Sequence, residues 1–198
     1  MVRAIASAAA LLLAAQWAHA DAKIGQPAPS FTATDASGKT VSLADFKGKT
    51  VVLEWNNPEC PFVRKHYSGN MQKQQAAATA QNIVWLTVNS SAAGKQGHLD
   101  GAGAKALIAK TGAKQTDYLL DANGVVGREY GAKTTPHMFV IDTNGVLRYN
   151  GAIDSIASTD VSDIAKATQY VPAAIADLQA SRDVKVATSQ PYGCSVKY

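Results

Sequence analysis

Cysteine is scarce in this chain, with Cys60 and Cys194 the only two among 198 residues. A count of two excludes a small scaffold stapled by several disulfides and a four-cysteine zinc site. Histidine is nearly as rare, at four copies. Neither His66 nor His137 falls at a zinc-binding spacing from Cys60, so both read as surface or structural residues, and no metal or other cofactor is expected. Charge of one sign is also lacking: the formal net charge is +4. No run of Lys and Arg is interleaved with stacking aromatics, which argues against a nucleic-acid partner. Long apolar runs are absent as well. The longest, Ala4 to Ala15, is about a dozen residues, whereas crossing a bilayer core takes roughly twenty.

What is present begins with that short run. Arg3 precedes it and Ala18-His-Ala20 follows it, the pattern of a signal peptide over residues 1–20 with cleavage after Ala20. The expectation is a periplasmic or secreted protein with no membrane attachment after cleavage. Removing Arg3 with the leader lowers the formal charge by one. Residues 21–198 fit one domain, large enough to bury a core without staples.

Along that domain, Phe31 to Ala33 and Lys39 to Leu43 flank the turn residues Asp35-Ala-Ser-Gly38, a hairpin signal. Thr50 to Trp55 and Ile83 to Val88 are continuous apolar runs, as expected of strands buried on both faces. Between them, Pro61 to about Gln81 suits a helix, with a break or kink expected at Ser68-Gly-Asn70. A helix from about Ala102 to Lys110, a short strand Tyr118 to Leu120 and a short helix Val125 to Tyr130 follow. His137 to Ile141 and Val146 to Tyr149 form a second hairpin through Asp142-Thr-Asn-Gly145, Asn-Gly being a strong turn dipeptide. Pro172 is expected to open the last helix, and 188–198 reads as an irregular tail. Strand alternating with helix implies a parallel core.

Cys60 stands where strand gives way to helix. With Pro61 at the first helical position, the cysteine falls at or next to the N-cap, where unpaired backbone amides point outward. The helix dipole there contributes from a few tenths to about 1 kcal/mol in favour of a thiolate, the species that performs thiol exchange. Arg64 and Lys65 would add to this effect, and Glu59 would oppose it. Glu54 interrupts an apolar strand six positions earlier. Burying a carboxylate is costly, so Glu54 is either a proton acceptor and donor for the thiol or a group that reaches solvent or a lysine. Thr134-Thr-Pro136 precedes an apolar strand, making Pro136 a candidate for a cis bond. In an oxidising compartment Cys60 and Cys194 can pair. A purely structural bond closing so long a loop would contribute roughly 4 to 5 kcal/mol.

The motifs Gly25-Gln-Pro-Ala-Pro-Ser-Phe31, Asp35-Ala-Ser-Gly-Lys39, Ser42-Leu-Ala-Asp-Phe-Lys-Gly-Lys49 and Pro136-His-Met-Phe-Val-Ile-Asp-Thr-Asn-Gly145 together resemble the redoxin branch of the thioredoxin superfamily. This branch includes the alkyl hydroperoxide reductase and thiol-specific antioxidant proteins. The resemblance implies an α/β thioredoxin-like sandwich, a central mixed sheet flanked by helices with an N-terminal β-hairpin. It aligns Glu54 with a buried acid, Cys60 with the nucleophile and Pro136 with a cis-proline. Val63 stands where the second cysteine of Cys-x-x-Cys would be, so an ordinary dithiol thioredoxin is excluded. The threonine three residues before a peroxidatic cysteine is replaced by Asn57, and neither Arg128 nor Arg148 is assigned to the matching arginine. Cys60-Pro-Phe-Val63 and Gly193-Cys-Ser-Val-Lys-Tyr198 resemble a smaller set of uncharacterised thioredoxin-like proteins, which implies that Cys194 is the resolving thiol.

The resulting expectation is an oxidoreductase in which Cys60, Cys194 and Glu54 are catalytic and Asn57, Pro61, Thr135 and Pro136 face the substrate. That substrate is a protein or small-molecule disulfide, and an unidentified thiol donates the electrons. Two alternatives stand: a thiol peroxidase working through a Cys60 sulfenic acid, and a non-enzymatic binding module with a structural Cys60–Cys194 bond.

Overall fold

A computed structural model describes residues 22–198, so the expected leader at 1–20 lies outside the described residues. The first elements are the hairpin strands β1 (Thr32–Asp35) and β2 (Thr40–Ser42). Asp35 organises their turn by accepting from the Ser37 and Lys39 amides at 2.7 and 2.9 Å. Next come β3 (Val51–Trp55), α1 (Pro61–His66), α2 (Asn70–Thr79) and β4 (Val84–Asn89). The expected break between α1 and α2 occurs at Gly69, whose φ of 131° a side chain would strain.

The chain continues through α3 (Gly101–Thr111), β5 (Asp117–Leu120), α4 (Val125–Glu129), β6 (Thr134–Thr135), β7 (His137–Ile141), β8 (Leu147–Gly151), α5 (Tyr170–Gln179) and β9 (Cys194–Ser195). Helix α5 starts two residues before Pro172. The proline therefore sits in the first turn, where its missing N–H costs no helical hydrogen bond.

Seven strands make one sheet in the order β2-β1-β5-β4-β3-β7-β8. β3 and β4 run parallel, as do β4 and β5, and the remaining pairs are antiparallel. The sheet is therefore mixed. Along β3 the side chains alternate between two cores. Val51, Leu53 and Trp55 join Phe139 and Tyr130 on one face, and Val52 joins Trp85, Met71 and Val171 of α5 on the other. Glu54, by the same alternation, falls on the second face.

The tail adds long-range ties that its irregular backbone does not announce. Residues 188–198 are irregular apart from the two-residue β9, as expected, but they are tied down along their length. Thr188 bridges Asn150 at the β8 edge, and Cys194 and Ser195 pair antiparallel with Thr135 and Thr134. Beyond them, the Val196 amide donates to the Lys133 carbonyl and the Lys197 carbonyl accepts from the Ala92 amide, at 3.1 and 2.8 Å.

Candidate active site

Cys60 is the N-cap of α1, with extended backbone at φ −71° and ψ 124°, and Pro61 follows at the first helical position. The β3 strand aims the chain at this turn. The Asn56 amide still bonds to the Val88 carbonyl, and the Cys60 amide bonds to the Asn57 carbonyl at 3.0 Å. The sulfur is fully buried. Its thiol donates to the Thr135 carbonyl at 3.0 Å, the residue just before Pro136, and the Thr135–Pro136 bond is cis.

The tail closes the site. Because Cys194 is paired in register with Thr135, its amide points at the Cys60 sulfur, 3.4 Å away. Gly193 makes this approach possible. Its φ is 129°, and a Cβ there would overlap the Thr135 carbonyl oxygen. Only glycine allows the tail backbone this close to the cis-proline loop. At the tail's end the Tyr198 ring covers Gly124 and Gly127, where added Cβ atoms would overlap it. Its hydroxyl donates to the Ala132 carbonyl at 2.8 Å, and the Arg128 guanidinium stacks 4.6 Å from its centroid.

Electrostatics separate the two sulfurs. Burial opposes ionisation of Cys60, but the Cys194 thiol and the backbone amides of Val63 and Cys194 donate toward its sulfur and outweigh burial, holding its pKa below the ordinary thiol value. Burial pushes Cys194 up, and its hydrogen bond to Cys60 and the charge of that sulfur push it further, to about 11. Cys60 is thus the more acidic of the two thiols and the one that ionises first, while Cys194 keeps its proton. Neither expected cation contributes a bond to this sulfur. Arg64 Nε donates to the Pro58 carbonyl at 3.1 Å, and Lys65 turns away toward Asp154.

Glu54 is fully buried and accepts five hydrogen bonds: from Tyr67 at 2.7 Å, Trp85 at 2.8 Å, Asn56 and Gln75 at 3.1 Å, and Thr87 at 3.2 Å. Burial raises its pKa, and these donors pull against that rise. Neither sulfur is among its partners. Tyr67 and Asn56 do line a cleft of about 450 Å³ beside the active turn, together with Glu59, Val63 and Arg64. The structure thus brings Cys60, Cys194, Thr135 and Pro136 together and sets Glu54 one layer below. Asn57 is buried within the turn. Its amide donates to the Gln96 carbonyl at 3.2 Å and its side-chain oxygen accepts from the Glu59 amide at 2.9 Å. Pro61 remains exposed at the start of α1.

Sequence reading missed a polar cluster beneath the tail. Lys65 Nζ and His66 Nε2 lie 3.6 and 3.8 Å from Asp154 Oδ2, with all three side chains shut off from solvent. Desolvation and the neighbouring lysine charge hold His66 down at about 4, against the pull of Asp154, so the ring is neutral. Its Nδ1 faces the Asn70 amide nitrogen at 2.8 Å, and its Nε2 meets the Tyr192 hydroxyl at 3.1 Å. The Tyr192 hydroxyl in turn donates to Asp154 Oδ1. The available signal was the pair Lys65-His66 on a short helix ahead of an aspartate-bearing loop, too common a combination to single out. His137, the other candidate ligand, is held by Asn150 at 2.8 Å and by the Lys133 amide at 3.2 Å.

Residues 24–150 match the model of the AhpC/TSA family. The thiol-disulfide oxidoreductase ResA of Bacillus thuringiensis is 28% identical over 134 residues, which cover 62% of this chain and 66% of that protein. The thiol:disulfide interchange protein DsbE of Vibrio cholerae is 27% identical over 128 residues, covering 64% and 63%. The chain therefore spans slightly less than two-thirds of the length of these relatives. A crystal structure of an uncharacterised conserved protein from Geobacillus kaustophilus superposes with a TM-score of 0.77 at 22% identity, over 89% of this chain and 93% of that one. The fold is the expected thioredoxin-like sandwich.

Proposed function

The chain belongs to the AhpC/TSA family, and on that premise we propose that it is an exported thiol-disulfide oxidoreductase in which Cys60 attacks and Cys194 resolves. The Cys60 thiolate attacks one sulfur of a substrate disulfide. That bond breaks, a Cys60–substrate mixed disulfide forms, and the first substrate thiol leaves with a proton from solvent. Cys194 gives up its proton and attacks Cys60 Sγ. The mixed disulfide breaks, the second substrate thiol is released, and a Cys60–Cys194 disulfide remains. Two electrons pass from the cysteine pair to the substrate, and an external thiol donor returns them.

The observation that carries this reading is the register of Cys194 with Thr135, which brings the Cys194 amide to 3.4 Å from the Cys60 sulfur. The names of the ResA and DsbE relatives support disulfide chemistry. Among the described residues, no arginine donates a hydrogen bond to this sulfur, as a peroxide reductase would need. Arg128 stacks on Tyr198, and Arg148 pairs with Asp142 at 2.6 Å. Asn57 spends its amide nitrogen on the Gln96 carbonyl and its side-chain oxygen on the Glu59 amide, which further favours disulfide over peroxide. Thr135 and Pro136 would form the wall against which the substrate sulfur is presented, and Glu54 would hold a proton beneath the turn.

Titrating the protein against a glutathione redox buffer tests this reading. One intramolecular bond between Cys60 and Cys194 with a potential in the range of known redox catalysts is expected. A potential below about −300 mV would mark the bond as structural and return the binding-module alternative. Export rests on the 1–20 leader pattern, and residues 21–198 form the single mature domain in this reading. An N-terminus at Asp21 in protein recovered from outside the cytoplasm is the expected result.

A further inference from the structure

The buried cluster under the tail is expensive to build, and the tyrosine it holds packs against the second core. Lys65, His66 and Asp154 lie on α1 and on the loop after β8, and removing three such groups from water costs more than an apolar patch of the same size. Asp154 spends one carboxylate oxygen on the tail. Its Oδ1 accepts from Tyr192 and from the Ile156 amide at 3.1 Å, while Oδ2 has no hydrogen bond, only the longer contacts to His66 and to Lys65, whose Nζ also donates to the Ile156 carbonyl at 3.1 Å. The tautomer of His66 follows from the same geometry. Asn70 donates to Nδ1, so Nε2 carries the proton and donates to the Tyr192 oxygen, whose own proton goes to Asp154. The Tyr192 ring packs edge-on against Phe62, 5.7 Å between centroids, two residues past Cys60. On the tail, Tyr192 is two residues before Cys194, and only Gly193 lies between Tyr192 and the reacting segment.

From this geometry we infer that Tyr192 is a positioning residue: the Lys65–His66–Asp154 cluster is a socket for its hydroxyl, and seating it there holds Cys194 over Cys60 and seals Cys60 from large reagents. The proposal deepens the reading of Cys194 as the resolving thiol and rests on it for one of its two readouts.

The test uses the full mature chain and the variants Tyr192→Phe, Tyr192→Ala and Asp154→Asn. The first readout is alkylation of reduced Cys60 by a bulky maleimide in a Cys194→Ser background, which measures how often the tail lifts and needs no chemistry from Cys194. Tyr192→Phe should raise the rate about tenfold, since one buried hydroxyl and two hydrogen bonds are lost. Tyr192→Ala should raise it further, and Asp154→Asn combined with Tyr192→Phe should add little to either alone.

The second readout is a single turnover with an aromatic disulfide that releases a coloured thiolate at each step. The first release reports attack by Cys60 and should be no slower in Tyr192→Phe, whereas the second, which reports attack by Cys194 on the mixed disulfide, should slow. A simple loss of folding stability would not separate the two steps. Unchanged alkylation in Tyr192→Phe and Tyr192→Ala, or additive effects in the double variant, overturns the socket. If the wild type itself shows no second release, the resolving role of Cys194 is lost, while the alkylation result still decides the socket.

Discussion

Cys60 and Cys194 lie against each other in opposite settings. One is built into the fold: it follows a central strand, caps a helix and is reached by the Val63 amide of that helix. The other is carried in by a segment whose every anchor is long-range, and its two-residue strand exists only because Thr134 and Thr135 are there to receive it. The turn sulfur is driven toward the thiolate while the tail sulfur is pushed to about 11. Their asymmetry teaches that the acidity of each sulfur is set by what donates to it, since the two side chains are chemically identical, and the proposed roles of nucleophile and resolver follow from that difference.

The largest expected effect removes one side of this pair. Cys60→Ser should abolish reduction of an insulin-type disulfide by on the order of a thousandfold or more, because a serine hydroxyl has no comparable nucleophilicity at neutral pH. Retained activity would end the assignment of Cys60. Removing the other side should behave differently. Cys194→Ser should leave the first exchange intact but trap a Cys60–substrate mixed disulfide visible by intact mass, with turnover down roughly a hundredfold for lack of an intramolecular attack. Equal losses at both steps would mean that the cysteines are not divided by role.

Gly193→Ala sharpens the comparison without touching either sulfur. With positive φ and no room for a Cβ beside Thr135, alanine costs about 1 to 3 kcal/mol of tail docking, so the second exchange should slow by about tenfold or more while thermal stability changes little. Cys194→Ala should shift the alkylation profile of Cys60 to higher pH, because the thiol that donates to it is gone. A profile shifted to lower pH would contradict the direction assigned to that bond.

The smallest effect on the pair is expected from Glu54→Ala. Five donors lose their acceptor, costing about 3 kcal/mol in urea unfolding, yet none of them touches a sulfur. The folded pKa of Glu54 lies above its unfolded value, so the contribution of this carboxyl is complete below the unfolded pKa and is lost as pH rises through the folded one. The wild type should therefore show a loss of stability with rising pH that Glu54→Ala lacks.

Much of the fold was legible because its signals are local. The apolar runs at Thr50–Trp55 and Ile83–Val88, the break at Ser68–Asn70 and the turn at Asp142–Gly145 each report a backbone preference that neighbouring residues enforce. The position of Cys60 was legible for the same reason, since Pro61 identifies the first helical residue. Lys65 was misjudged as support for the thiolate. Helical spacing alone does not say which way a long side chain swings, and Asp154, nearly ninety positions away, draws it aside.

Sequence by itself determined the strand-turn-helix that delivers Cys60, the missing partner at Val63, and a second thiol near the far end of the chain. Only the tertiary structure decided that the tail pairs with Thr134–Thr135, that Gly193 admits it, and that Tyr192 has a buried socket. The physical reason is range. Caps, turns and strand patterns are enforced within a few residues, whereas the bond from the Cys194 amide to the Cys60 sulfur joins groups 134 positions apart and exists only once the sheet has brought their supports together.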